Sequence, residues 1–225
     1  MPLSETPARW LRRILLVLTA WALAATAWPW LRPYETLDDV PLPALGDSLA
    51  AVVVLDARPE LPGYTREAFG AGWAAQPGGC TTRQAVIAAQ FEDVHAEEAT
   101  CRLLAGAGQD PYTGEALAAT DEVEIDHVFP LAAAWDMGAH AWDTRTRHAF
   151  ANDAVNLVAT SKAANRDKSD QLPAEWLPEA PRARCWYARR VAAVAARWGL
   201  ALSRADRAAM RGACRLGGLG AALPR

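Results

Sequence analysis

The sequence lacks the cysteine spacing of a structural zinc site. Its four cysteines contain no Cys-x-x-Cys pair, which argues against the usual closed zinc-binding modules. It also contains no internal repeat, so a repeat architecture is not indicated. Apolar residues make up 52% of the chain and charged residues 22%, which indicates a folded core rather than disorder.

A positive overall charge is missing as well, since the 225 residues carry a formal net charge of -3. The charge is unevenly distributed, however. Residues 32–126 hold 5 basic against 17 acidic residues, a net of -12, whereas residues 162–215 hold 12 against 5, a net of +7. Because local potential attracts phosphate groups, the basic C-terminal part is compatible with a nucleic acid partner. Alternatively, many of its arginines only solvate helix faces.

Charge is absent from residues 14–31, directly after three arginines. This pattern predicts an export signal, with Ala25-Thr26-Ala27 suited to cleavage before Trp28. The alternative, which we prefer, is an uncleaved membrane anchor, because 18 residues extend roughly 27 Å as a helix. Both alternatives place the folded part outside the cytoplasm, either membrane-anchored or secreted.

Export makes disulfides plausible, and four cysteines allow three pairings. We predict Cys80–Cys101 and Cys185–Cys214, because each of these pairs brackets a helix-like segment that can fold back on itself. Free buried thiols are the alternative, and an oxidising compartment disfavours them.

The chain is predicted to be mainly helical with one small antiparallel sheet. We expect an export signal or anchor at 1–31, a linker and short helix at 32–63, a folded domain at 64–215 and a flexible tail at 216–225. Apolar spacing and capping residues predict helices over 45–56, from Thr81 or Thr82 to about His95, over 184–198, and from Ser203 onward. Residues 110–114, Asp-Pro-Tyr-Thr-Gly, predict a turn.

Two segments carry the candidate chemistry. Residues 123–130 read Val-Glu-Ile-Asp-His-Val-Phe-Pro, a strand-like run that ends in an Asp-His pair. Residues 155–170 read Val-Asn-Leu-Val-Ala-Thr-Ser-Lys-Ala-Ala-Asn-Arg-Asp-Lys-Ser-Asp, a second strand followed by a helix. The order strand, strand, helix is the order that a compact one-metal nuclease site requires.

The residue types fit phosphodiester hydrolysis, which needs a base for water and a cation for the developing charge. His127 is the natural base, since imidazole titrates near neutral pH. Asp126 offers a hard oxygen ligand and Asn165 a neutral one, which favours magnesium, or else manganese, over zinc. Lys168 lies on the helix face of Asn165 and could contact phosphate, while Lys162 and Arg166 could hold the substrate backbone.

These segments resemble the HNH (ββα-metal) endonucleases, and most closely the exported actinobacterial-type proteins related to the C-terminal nuclease domain of GmrSD restriction enzymes. The resemblance spans roughly residues 64–214 and rests on the segments 80–83, 110–114, 124–127, 165–170 and 173–178. It implies an α+β fold, a mainly helical domain around a ββα-metal core with a small antiparallel hairpin. It also implies that His127 is the general base, that Asp126 and Asn165 hold one divalent ion, and that Asn156 orients His127.

The sequence therefore predicts a metal-dependent endonuclease that hydrolyses DNA, or also RNA, outside the cytoplasm. Its partners would be the nucleic acid substrate and, if the N-terminal segment is uncleaved, the membrane; no protein partner is inferred. The alternative is a non-catalytic nucleic-acid or envelope-binding protein on an HNH-like scaffold, which would bind in a salt-dependent manner without cleaving.

Overall fold

The computed structural model describes residues 7–31, 41–97, 100–119 and 122–217. The α-helices in these residues are Pro7–Leu31 (α1), Leu45–Ala51 (α2), Thr82–Gln90 (α3), Leu131–Asp136 (α4), Thr144–Ala151 (α5), Lys162–Lys168 (α6), Ala183–Trp198 (α7) and Arg204–Gly217 (α8). The strands are Val54–Leu55 (β1), Glu92–Ala96 (β2), Leu103–Gln109 (β3), Ala116–Ala118 (β4), Val123–His127 (β5), Leu157–Ser161 (β6) and Leu202–Ser203 (β7). Single 3-10 turns span Arg66–Phe69, Ala139–Ala141 and Ala154–Asn156. The fold is thus mixed helix and sheet, as predicted at that level. Among the described residues two small sheets are antiparallel, where one was predicted, and β1 and β7 form a short parallel pair.

The chain divides into two compact units, residues 1–35 and 36–225. The first unit contains α1. None of the helices in the described ranges is both long enough and apolar enough to cross a bilayer, so the transmembrane anchor that we preferred from the sequence is not found there. Residues 32–40 of the predicted linker and residues 218–225 of the predicted tail lie outside the described residues.

Helix α7 forms the centre of the main core. Tyr187, Val191 and Val194 are fully buried on it, and this confirms the helical spacing seen in the sequence. The helix ends at Gly199, whose φ of 64° lies in the left-handed region that glycine adopts without strain. Helix α8 begins after Ser203, whose hydroxyl accepts a hydrogen bond from the Asp206 amide at 3.0 Å.

Both predicted disulfides are present. One joins Cys80 to Cys101, and the other joins Cys185 of α7 to Cys214 of α8. No cysteine of the described residues is free. Each bond closes a loop of moderate length, which removes conformational entropy from the unfolded chain.

The helix predicted up to His95 is shorter than expected. Thr81 and Gln84 form the capping box that starts α3, but the helix ends at Gln90 because Phe91 adopts an extended conformation and buries its ring. The chain then forms β2, which pairs antiparallel with β3, and β3 pairs antiparallel with β4. His95 therefore lies in an exposed strand, and its prediction as a helix residue is wrong.

The strands that carry the candidate chemistry form a separate antiparallel pair. β5 and β6 pair in register from Val123 opposite Ser161 to His127 opposite Leu157. Ser161 then caps α6 by accepting a hydrogen bond from the Ala164 amide at 3.3 Å. The long connection between the two strands contains α4 and α5, which pack into the main core.

Candidate active site

The alternation of β5 sends its side chains to two different environments. Val123 and Ile125 belong to a small apolar core with α3, β4 and β6. On the other side, Glu124 and Asp126 hydrogen-bond to side chains of α6. His127 lies on the same face of the strand as Val123 and Ile125 by alternation. The predicted base and the predicted metal ligand Asp126 therefore lie on opposite faces.

The imidazole of His127 is buried and held in one orientation. Its Nε2 lies 2.9 Å from the carbonyl oxygen of Ala151, at the end of α5. Since a carbonyl can only accept, Nε2 carries the hydrogen and Nδ1 keeps a free lone pair. The ring also stacks on Trp73, with centroids 5.7 Å apart and an interplanar angle of 15°.

Burial, together with the smaller effects of the Arg66 guanidinium and the Lys168 ammonium and against the hydrogen bond to Ala151, lowers the pKa of His127 to about 3. The imidazole is therefore neutral at pH 7. A neutral ring is the form that can accept a proton from water. A bound phosphate would raise this pKa, because a nearby negative charge favours the imidazolium.

A solvent-accessible cleft opens beside His127. Its volume is about 180 Å³, and it is lined by Arg66, Phe69, Gly70, Gly72, Trp73, His127, Leu131 and Ala151. A reactant in this cleft would therefore reach a buried imidazole without any rearrangement of the core.

Asp126 lies at the centre of a buried polar cluster. The Lys168 ammonium lies 3.0 Å from Oδ1 and 2.9 Å from Oδ2 of this carboxylate. The same ammonium donates to the carbonyl of His127 at 2.9 Å, and the Tyr112 hydroxyl donates to Asp126 Oδ2 at 2.5 Å. Burial raises the pKa of Asp126 and lowers that of Lys168, while their mutual attraction opposes both shifts.

Asn165 was predicted to hold an ion together with Asp126, but its side chain is hydrogen-bonded to Glu124. Its side-chain amide donates to Glu124 Oε2 at 2.7 Å, whereas Asp126 contacts Lys168 and Tyr112. The two predicted metal ligands thus lie at the same junction of β5 and α6, each hydrogen-bonded to another partner.

The donors at this junction fit a hard cation in their chemistry, since Glu124, Asp126 and Asn165 all present oxygen. No group of three or more His, Cys, Asp or Glu side chains suited to a metal ion occurs among the described residues. That is compatible with Mg²⁺, which keeps several waters and binds through one or two carboxylates together with substrate phosphates. A cation at Asp126 would have to share or displace the Lys168 ammonium.

The side chain of Asn156 hydrogen-bonds to the backbone just after His127. Its Oδ1 accepts from the Phe129 amide at 2.7 Å, its Nδ2 donates to the Phe129 carbonyl at 3.1 Å, and its own carbonyl accepts from Val128. Asn156 is fully buried. Any influence on the orientation of His127 therefore passes through the backbone, while Ala151 and Trp73 contact the ring itself.

The three predicted substrate-binding cations differ in exposure. Lys168 is fully buried in the Asp126 cluster. Lys162 pairs with Glu122 at 2.9 Å on the surface, and this lowers the pKa of Glu122 through the hydrogen bond and the charge of Lys162. Arg166 is exposed. Only the two surface residues are available to a substrate in this conformation.

Two positioning residues were recognised from the sequence only as part of a turn. Asp110 is buried and accepts hydrogen bonds from the Tyr112 amide, the Thr160 hydroxyl and the Ser161 amide at 2.8–2.9 Å. These hydrogen bonds fix the turn so that the Tyr112 hydroxyl donates to Asp126. The turn motif was visible, but its partners lie about fifty residues away in sequence and gave no local signal.

Residues 81–213 match the family of GmrSD restriction endonucleases, C-terminal domain. The chain belongs to this family. Over 200 residues it is 34% identical to an uncharacterized secreted protein of Arthroderma benhamiae, a match that covers 87% of this chain and 94% of the relative. No solved structure matches the chain.

The GmrSD C-terminal domain family confirms the resemblance drawn from the motifs. Membership indicates a nuclease-type function and therefore a nucleic acid substrate. The catalytic and metal-binding roles of individual residues remain predictions, and they are argued below from the geometry of the site.

Because the imidazole of His127 is buried in its neutral form, the free energy of unfolding should depend on pH. His127 has a pKa of 6.5 in the unfolded chain and of about 3 in the folded protein. Between these values the unfolded state binds one more proton than the folded state, so the free energy of unfolding should fall as the pH is lowered through this range. The loss attributable to this residue approaches about 1.4 kcal/mol per pH unit. Urea unfolding at pH 7, 6 and 5 should show a shallower decline for His127→Gln than for the parent.

The control is His95→Gln, which alters an exposed histidine of β2 and should leave the decline unchanged. Equal slopes for the parent and His127→Gln would contradict a buried neutral imidazole.

The Asp126 cluster predicts that Lys168→Met is strongly destabilising. It leaves a buried carboxylate without its cation, which typically costs about 3–5 kcal/mol in free energy of unfolding. The matched variant Lys162→Met breaks a pair whose Glu122 side chain is 79% exposed and should change stability very little. Urea unfolding of both at pH 7 tests this, and similar effects for the two would show that Lys168 is not a buried ion-pair partner.

Proposed function

We propose that the chain is a metal-dependent HNH endonuclease that hydrolyses phosphodiester bonds of DNA, or of both DNA and RNA, outside the cytoplasm. The observation that carries this proposal is the neutral, buried imidazole of His127 at the edge of an open cleft, with its Nε2 hydrogen committed to Ala151. Family membership supports the same class of activity.

The base in this proposal is Nδ1 of His127. Because Nε2 donates to Ala151, the lone pair available to a water molecule is that of Nδ1. Stacking on Trp73 fixes the plane of the ring, which reduces the reorganisation needed when water and substrate bind. Water that loses its proton to Nδ1 attacks phosphorus in line with the departing 3′ oxygen, so the products carry 5′-phosphates.

The ββα-metal core is part of the proposal. Its geometric support is that β5 pairs with β6 and that α6 directly follows β6. Asp126 and Asn165 lie where β5 and α6 come together. A divalent ion held by these two residues, Mg²⁺ or else Mn²⁺, would supply positive charge for the leaving oxygen.

Asp126 and His127 lie on opposite faces of β5, and neither Asp126 nor Asn165 lines the His127 cleft. The ion and the base can therefore act on one phosphodiester only if the end of β5 changes conformation when ion and substrate bind. Asp126 would exchange its contact with the Lys168 ammonium for the ion. Asn165 donates to Glu124 through its amide nitrogen and would bind the ion through its amide oxygen.

Action outside the cytoplasm is supported by three features. The two disulfides are typical of an oxidising compartment, and the Arthroderma relative is described as secreted. The uncharged N-terminal segment that follows basic residues is consistent with export.

The decisive assay is cleavage of plasmid DNA by the disulfide-bonded protein in the presence of Mg²⁺. His127→Ala should lower the rate by about 10²–10⁴-fold, the usual contribution of a positioned general base, and a chelator should abolish cleavage. Asn165→Ala should raise the Mg²⁺ concentration needed for half-maximal rate.

His95→Ala is the matched histidine control and should cleave at the parental rate, since His95 lies on exposed β2. If His127→Ala cleaves as fast as the parent, His127 is not the base. Salt-dependent binding of DNA by a parent that cleaves nothing with either ion would favour the non-catalytic binding protein instead.

A further inference from the structure

We propose that Arg66 forms a phosphate-binding subsite in the His127 cleft, which receives the phosphodiester group that is hydrolysed. The inference rests on the proposed nuclease function and adds a residue that the motifs did not indicate. Residues 65–74, which carry this subsite, precede the part of the chain that matches the family, residues 81–213.

Arg66 and His127 line the same cleft. Among the described residues that line it, Arg66 is the only one charged at pH 7, because the imidazole is neutral there. The guanidinium is exposed, and no described carboxylate forms a salt bridge with it. The cleft thus combines one cation that pairs with no carboxylate of the described residues and one buried imidazole, a charge pattern suited to a phosphodiester and its attacking water.

Residues 65–74 form the wall of the cleft that carries Arg66, and this wall contacts α5 at several points. Phe69 is 1% exposed and packs on Phe150 with ring centroids 6.1 Å apart. The Arg147 guanidinium donates to the Ala68 carbonyl at 2.9 Å, and Asn152 Oδ1 accepts from the Ala74 amide at 2.8 Å. These contacts are made by α5 and by Asn152, the residue that follows it. Ala151, the last residue of α5, accepts the hydrogen bond from His127. The subsite and the proposed base are therefore supported by the same helix.

Gly70 shows how closely this wall approaches α5. Its φ is +112°, and a Cβ at this position would lie 2.3 Å from Cδ2 of His148. Any other residue would therefore have to displace the His148 ring or move the segment, and would also be strained at this φ. The close approach keeps Arg66 and Trp73, which flank Gly70, on the cleft.

Arginine suits this role better than lysine. Its guanidinium stays charged at all relevant pH values and donates two parallel hydrogen bonds to a pair of phosphate oxygens. Since such donors act most strongly on the charge that develops in the transition state, Arg66 should affect both binding and turnover. Its exposure and lack of a described ion pair mean that replacing it should leave folding intact.

The binding test uses the full chain, a fluorescent DNA oligonucleotide and a chelator, so that no cleavage occurs. Arg66→Ala should lower the slope of log K against log salt concentration by about 1, the effect of one lost phosphate contact. Arg66→Lys should keep the slope. Arg102→Ala is the matched control, since it removes a side chain that is 69% exposed and lies outside the cleft, and its slope should equal that of the parent.

The cleavage test with Mg²⁺ uses the same four proteins. Arg66→Ala should reduce kcat/KM at least 10-fold, Arg66→Lys should fall between it and the parent, and Arg102→Ala should match the parent. All four should share one melting temperature, which separates a contact with substrate from a structural role.

The two proposals fail in different ways. If Arg66→Ala keeps the parental salt slope and cleaves like the parent, the phosphate subsite is wrong and the nuclease proposal stands. If Arg66→Ala lowers the slope while none of the proteins cleaves with Mg²⁺ or Mn²⁺, the subsite stands as a phosphate-binding site and the nuclease proposal fails.

Discussion

The buried ion pair between Lys168 and Asp126 is the constraint on which the site depends. A fully buried ammonium is tolerated only where oxygens surround it, and here it meets both carboxylate oxygens and the carbonyl of His127. These contacts fix the end of α6 against the end of β5. Tyr112 then ties the turn at Asp110 to the same carboxylate, so three segments distant in sequence are positioned by one charge pair.

This arrangement places two adjacent residues in different surroundings. Asp126 pairs with the Lys168 ammonium, whereas His127 has a pKa that keeps its imidazole neutral at pH 7. The alternation of β5 turns the two side chains to opposite faces, and the imidazole is buried among Trp73, Ala151 and the cleft wall. Adjacent residues can therefore be held in opposite electrostatic environments without any unusual backbone geometry.

The sequence predicted those parts that depend on local chemistry. Helix α7, the capping of α8 at Ser203, the hairpin of β5 and β6 and both disulfides follow from spacing and capping signals. The strand β2 was missed, because Phe91 and Val94 fit a helical stripe as well as a strand, and only pairing with β3 decides between them. In the site, Asn165 was placed on α6 correctly, but its contact with Glu124 depends on the register between strand and helix, which no local signal encodes.

The cleft depends on tertiary packing for the same reason. Arg66 and Trp73 lie in an irregular segment with aromatic and glycine residues, and nothing in its local sequence indicates that it faces His127. It reaches that position because Phe69 enters the main core and Gly70 permits close approach to α5. The hairpin and α6 thus carry the groups for which chemical roles are proposed, while a segment before the family region forms the cleft wall opposite His127. The shape of the proposed site therefore depends on residues outside the matched domain as well as on those within it.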